Sequence, residues 1–155
     1  MAPITVRCPN CDGETTTVRE MREVPLGQRQ VVIEDEFMRC GSCGEEFFSR
    51  AQADRSHDLA VERARLDDNL LLPSQIKDVR ETLGLTQAQF ENILGVGEKT
   101  CVRWETGRVC QNIATDRLIR LIAADPENVR RLAAINGVPI PEAVQLGAAV
   151  HVGGR

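Results

Sequence analysis

The chain has 155 residues, enough for one or two small domains, and carries a net charge of −4 with a pI near 5.3, which excludes a general basic coat for nucleic acid but not a local basic patch. Only 3% of residues are aromatic and Tyr is absent, so any core must rest on Leu, Val, Ile and Ala. No apolar run approaches the ~20 residues of a membrane span, so the chain reads as cytoplasmic with no membrane partner.

Charge and pattern divide the chain. Residues 1–50 hold six Arg against nine Asp and Glu, for −3, whereas residues 76–125 hold seven basic and seven acidic residues. In residues 1–50, TTTVREMREV and QVVIEDEF are β-branched runs separated by VPLGQRQ, a Pro/Gly turn signal, which predicts a hairpin. Residues 51–73 lack a strong apolar stripe and read as a helical linker, with Ala53, His57, Ala60, Val61 and Ala64 along one side. Residues 74–136 then give five helices. Ser74 is the expected cap of the first, which carries Ile76, Val79 and Leu83 and stops at Gly84. Thr86 and Gln89 form a capping box for QAQFENIL. After Gly95-Val96-Gly97 comes EKTCVRWE, closed by Gly107. A further helix spans about 112–124, and Asp125-Pro126 opens the last. Residues 137–155, with two prolines and four glycines, read as a tail. The expected class is α+β: a small β domain followed by an all-α domain.

Cys8 and Cys11, and again Cys40 and Cys43, stand in C-x-x-C units. In a reducing compartment this spacing favours metal or redox chemistry over disulfides. Tetrahedral zinc takes four soft donors, and each C-x-x-C turn delivers two thiolates. Four thiolates close the site to water, so the metal would be structural. A domain of about 50 residues is also too small to be secure without such a staple. A rubredoxin-like iron site shares the spacing, but such small cores usually rest on aromatics. Cys101 reads as a small buried hydrophobe, Cys110 stands in a loop, and His57 and His151 read as ordinary histidines.

Two helices joined by a three-residue, Gly-containing turn make a helix-turn-helix unit, whose second helix enters the major groove. LTQAQFENILGVGEKTCVRWETG fits that unit throughout. Thr86 and Gln87 would hold a phosphate at a helix N-terminus. Glu98, Lys99 and Thr100 open the recognition helix, and Arg103 shares a face with Lys99, both suited to guanine edges. Trp104 reads as a core anchor. Glu91 occupies a position that is commonly small where the two helices cross, so it must reach the edge or find a basic partner.

CPNCDG, RCGSCGE, the run LPSQIKDVRETLGLTQ and the run GVGEKTCVRWETG resemble MqsA-type antitoxins, a YgiT-type zinc finger joined to an Xre-type helix-turn-helix domain, over about residues 6–135. The resemblance implies zinc on Cys8, Cys11, Cys40 and Cys43, and major-groove contacts from Lys99 and Arg103. Lys99 stands where an Asn is known in the family, which implies a different operator sequence. It also implies a type II antitoxin that neutralises a ribonuclease toxin through the zinc domain, dimerises through the C-terminal domain, and represses its own operon on double-stranded DNA. The tail after Asn136 extends beyond shorter members and is a candidate disordered end, dimer strap or segment for a chaperone. A stand-alone zinc-dependent transcriptional regulator without a toxin is the alternative, and a C-x-x-C redox protein a more distant one. No catalytic constellation is evident, so the chain does not read as an enzyme.

Overall fold

The computed structural model describes residues 6–140 together with Glu142, Val144 and Val152. Three strands, β1 (Thr15–Leu26), β2 (Arg29–Cys40) and β3 (Glu46–Phe47), precede six helices: α1 (Arg50–Asp67), α2 (Pro73–Thr82), α3 (Gln87–Leu94), α4 (Thr100–Glu105), α5 (Ile113–Ala124) and α6 (Glu127–Asn136). The expected α+β class therefore holds. The chain divides into two compact units inside α1, between Arg63 and Ala64.

In the first unit the sheet order is β1-β2-β3, antiparallel throughout, with the β1–β2 register running from Thr15↔Cys40 to Leu26↔Arg29. The hairpin is longer than its sequence suggests. Its turn is only Gly27-Gln28, and Gly27 takes φ +63°, a left-handed value that costs glycine nothing. Pro25 stays in the ladder because β1 is an edge strand, where a missing N–H can face outward. Val31, Ile33, Asp35 and Phe37 alternate along β2 and are buried. The other face carries cross-strand ion pairs such as Arg19–Glu36, 2.6 Å apart. A capping box missed in the sequence starts α1: Ser49 N–H donates to Gln52 Oε1 at 3.0 Å, and Gln52 N–H to Ser49 Oγ at 3.2 Å.

In the second unit α2 to α6 are the five expected helices. The α2 cap differs from expectation. Leu72 is the N-cap, Pro73 takes the first helical position, and Leu72 N–H donates to Gln75 Oε1 at 2.8 Å. Ser74 is therefore already inside the helix. One apolar cluster, including Leu71, Ile76, Leu83, Phe90, Ile93, Trp104, Ile119 and Ile122, holds the helices together. Each such side chain contributes about 1.5–3 kcal/mol through burial. Part of the tail joins it: Val138, Ile140, Val144 and Val152 pack half-buried against the cluster. The rest of the expected tail lies outside the described residues.

The segment just before α2 is anchored rather than loose. Asp116 on α5 is fully buried; its Oδ1 accepts the Leu71 N–H at 2.6 Å and Gln111 Nε2 at 2.9 Å. Its Oδ2 accepts Arg120 Nε at 2.8 Å and a further bond from Arg117 Nη1. Arg120 Nη2 also donates to Asn69 O at 2.9 Å. Burial alone would raise the Asp116 pKa, but the Leu71 amide, Arg120 and Gln111 together hold it below the ordinary value.

A carboxylate whose folded pKa is depressed adds stability above its unfolded pKa and loses it as pH falls through the folded value. The second unit should therefore lose urea resistance progressively below about pH 4. Asp116→Ala should cost about 3–5 kcal/mol at neutral pH, since it strands buried partners, and should flatten that acid limb. Denaturant titrations at several pH values measure both effects.

Candidate metal centre and candidate nucleic-acid face

The Thr15↔Cys40 register brings the two ends of the hairpin together, and with them the two C-x-x-C turns. The turns are built alike. Asn10 N–H donates to Cys8 Sγ and Ser42 N–H to Cys40 Sγ, each at 3.4 Å. The residue after the second thiol takes a left-handed φ in both, +57° at Asp12 and +74° at Gly44. Gly41 N–H bonds Glu14 O at 3.0 Å, lacing one turn to the other. A Cβ on Gly13 would come within 2.7 Å of Ser42 Oγ and 3.1 Å of Cys40 Sγ, so only glycine fits there without displacement.

The four sulfurs lie within 4.8 Å of one another, with Cys8–Cys43 at 3.6 Å and Cys11–Cys40 at 3.5 Å. A tetrahedral ion ~2.3 Å from each thiolate needs sulfurs about 3.8 Å apart, so the set fits one ion with little adjustment. Cys8 and Cys40 are buried, Cys11 and Cys43 exposed. The protons are unevenly held. The amides of Cys43 and Ser42 pull the Cys40 thiol down to about 6. At Cys11 the Gly13 amide opposes a rise that the Cys43 and Cys40 sulfurs impose, and the thiol is pushed up to about 12. All four could be thiolates at this spacing only with a cation between them. These four cysteines can hold a metal ion, and the complete donor set leaves no position for a substrate.

In the second unit α3 and α4 are joined by residues 95–99. Gly95 is left-handed at +71°, and so is Lys99 at +61°, a conformation that costs a side-chain-bearing residue about 1–2 kcal/mol. The turn is therefore two residues longer than expected, and Glu98 and Lys99 precede α4 rather than lying within it. Glu98, Lys99 and Arg103 are exposed, and Thr100 is half-buried at the start of α4. Thr86 is the N-cap of α3: its Oγ1 accepts the Gln89 N–H at 3.2 Å, and its own N–H donates to Gln89 Oε1 at 2.9 Å. Gln87 is half-buried, and its Nε2 donates to Glu105 Oε2 at 2.8 Å.

Three charged side chains seat α4: Glu91, which the sequence singled out, and Arg80 and Glu105, which it did not. Glu91 is buried, yet it neither reaches the edge nor meets a cation among the described residues. Its Oε1 accepts the Cys101 N–H at 2.8 Å, placing a carboxylate at the first turn of α4, where the helix dipole favours it. Arg80 on α2 makes a two-pronged bond to Glu105, Nε–Oε1 at 2.6 Å and Nη2–Oε2 at 3.1 Å, and donates to Leu85 O at 2.8 Å. Burial would raise the Glu105 pKa, but Arg80, Gln87 and Cys101 hold it below its ordinary value. Burial first, then Glu105, pushes the Cys101 thiol up to about 12, so it is an inert core group. Glu105 was visible only as a letter in a motif; its partner Arg80 lies 25 residues away.

A four-cysteine turn pair ahead of a five-helix unit defines a metal-site protein with a separate helical module. The family model described as "Antitoxin component of bacterial toxin-antitoxin system, MqsA" matches residues 6–132. The chain belongs to the MqsA antitoxin family. It is 27% identical over 127 residues to Antitoxin MqsA of Escherichia coli (strain K12), covering 79% of this chain and 95% of that protein. Among the described residues no helix is long and apolar enough to cross a membrane.

Structural metal ions supply ~10–16 kcal/mol in small finger domains. Cys40→Ser should therefore abolish stoichiometric metal binding and unfold the hairpin unit. Helices α2 to α6 should remain, because their apolar cluster is made of residues from Leu71 onward. Circular dichroism with metal analysis tests this: loss of the sheet signal without loss of helix is the expected pattern.

Proposed function

We propose that this antitoxin is of type II: it neutralises a cognate ribonuclease toxin through its first unit and represses its own operon through its second. The ion is zinc, held by Cys8, Cys11, Cys40 and Cys43. The thiolate-only donor set and the sulfur spacing support zinc, and elemental analysis finding iron or no metal would reject it.

The DNA half rests on one observation above others. Lys99, just ahead of α4, and Arg103 within it are both exposed, and α4 is itself seated by Glu91 and by the Arg80–Glu105 pair. A cationic face on a rigidly seated helix is what base-edge reading requires. Here α3 and α4 act as the helix-turn-helix unit, with Arg103 reading a base and Lys99 on a base or phosphate. Glu98 and Thr100 flank that contact. Thr86 and Gln87 place the start of α3 against the backbone. The cap occupies the amides of Thr86 and Gln89, so a phosphate would meet those of Gln87 and Ala88. Binding is by a homodimer, since one helix reads only a few base pairs. Ile113, Leu121 and Ile135 on α5 and α6 are at least half exposed and support an apolar dimer surface there.

The toxin half rests on charge and on the sheet. The first 50 residues carry −3, the sign that meets a protein built to attract phosphate. β3 pairs only with Met38 and Arg39, so over Gln30–Phe37 the second edge of β2 has no strand partner among the described residues. A toxin strand could extend the sheet there.

Arg103→Ala should weaken operator binding by about 1–3 kcal/mol and relax preference at one base pair, measured by fluorescence anisotropy on operator and random duplexes. Equal loss on both duplexes would assign Arg103 to backbone positioning instead. For the division of labour, each half is co-expressed with the toxin gene. Growth rescue by the helical half and not by the metal-binding half would reject it.

A further inference from the structure

The six residues of α4 fall into distinct groups by burial. Cys101 and Trp104 are buried, Thr100 and Glu105 half-buried, and Val102 and Arg103 exposed. Arg103 has a place in the proposed DNA contact, whereas Val102 has none. At 36% exposed, Val102 stands outside the apolar cluster that holds the helices together. Helix propensity does not favour it either, because a β-branched side chain loses rotamer freedom in a helix.

Val102 lines a groove of about 340 Å3 between α3 and α4, together with Gln87, Ala88, Asn92 and Lys99 among others. Ala88, in the first turn of α3, is exposed as well. These two are the apolar members of a groove whose other lining residues are polar or charged. An apolar spot framed by Gln87, Asn92 and Lys99, and next in sequence to Arg103, has a counterpart on DNA. Base edges in the major groove present hydrogen-bond donors and acceptors, and thymine adds its C5-methyl group, which apolar side chains contact.

We infer that Val102, together with Ala88 across the groove, is a specificity-determining residue that packs on the C5-methyl of a thymine in the operator. The contact deepens the DNA-binding role proposed for α3 and α4, on which it rests, and adds a second base to the one Arg103 reads. Consecutive Cα atoms are about 3.8 Å apart, close to the ~3.4 Å rise between base pairs. Val102 and Arg103 therefore reach neighbouring pairs, and the thymine adjoins the pair that Arg103 reads. Burying the methyl against Val102 favours T·A over C·G at that position, because cytosine has no methyl to bury.

The test uses the full-length, metal-loaded chain and the duplex that it protects upstream of its own gene, with thymines replaced one at a time by uracil. Uracil pairs as thymine does and lacks only the methyl. Fluorescence anisotropy should reveal a thymine in each half-site whose replacement weakens binding about fourfold, the worth of one buried methyl group. That thymine should adjoin the pair at which Arg103→Ala relaxes preference. Val102→Ala should lose the discrimination between the thymine and uracil duplexes. Alanine at this exposed helical position favours the helix, and circular dichroism checks that the variant is folded. Uniform tolerance of uracil by the unaltered chain would overturn the inference while operator binding itself stands, and that measurement needs no variant. A folded Val102→Ala that prefers thymine as strongly as before would overturn it too. Failure to protect any duplex upstream of the gene would instead reject the DNA-binding role, and the thymine contact with it.

Discussion

Four sulfur atoms within 4.8 Å of one another are the constraint on which the first unit depends. They sit at the ends of a single hairpin, Cys8 and Cys11 ahead of β1 and Cys40 and Cys43 at the close of β2. The strand ladder aligns those ends, but the apolar core behind it is small. The buried apolar side chains of β2 are Val31, Ile33 and Phe37, with Cys40 itself one of the four clustered thiols, and an apolar core of that size holds a domain weakly. The backbone is shaped for an ion in advance, with two turns of the same form, an amide on the first sulfur of each, and a glycine where the turns touch. Held apart from a cation, the thiols compete for protons, Cys40 pulled down and Cys11 pushed up. A divalent ion held by all four would resolve that conflict and lock the hairpin in one step.

The helical unit solves a different problem by a shared device. Its apolar cluster supplies cohesion, but burial is not directional, and α4 is a helix of only six residues. Direction comes from buried carboxylates. Glu91 meets the first turn of α4, Glu105 ties α4 to Arg80 on α2, and Asp116 ties α5 to the backbone ahead of α2. Glu105 and Asp116 each accept several hydrogen bonds, which offsets their desolvation, and Glu91 accepts the Cys101 amide, so removing any one strands its partners. The exposed face with Lys99 and Arg103 is rigid because the buried side of the same helix is held in this way. Asp35 in the first unit is the contrast. It is nearly as buried as Asp116, but one of its oxygens has no hydrogen-bond partner among the described residues.

Local rules carried much of the architecture. The doubled C-x-x-C spacing announced a four-sulfur site because two such turns are the shortest way for a chain to present four thiols. The Thr86–Gln89 box, the Gly84 and Gly95 stops and the apolar spacing of α2 to α6 were legible because capping and helical period are properties of neighbouring residues. Where two local rules competed, the sequence misled. Ser74 is a good cap by type, yet Pro73 favours the first helical turn, and with the Asp116 bond to Leu71 N–H the helix starts two residues earlier, with Leu72 as its cap. Pro25 suggested a wider turn, because from sequence alone an edge strand cannot be told from a central one.

By itself, then, the sequence determined the order of the two modules, the four thiols of the candidate metal centre, the helix count and the cations Lys99 and Arg103 at and just before α4, all of which follow from spacing of a few residues. Only the tertiary structure decided which polar side chains are buried together. Arg80 and Glu105 are 25 residues apart, and Leu71 and Asp116 are 45. Those pairings depend on how helices pack. A side chain's type does not encode its distant neighbour, and electrostatics acts on distance through space rather than along the chain.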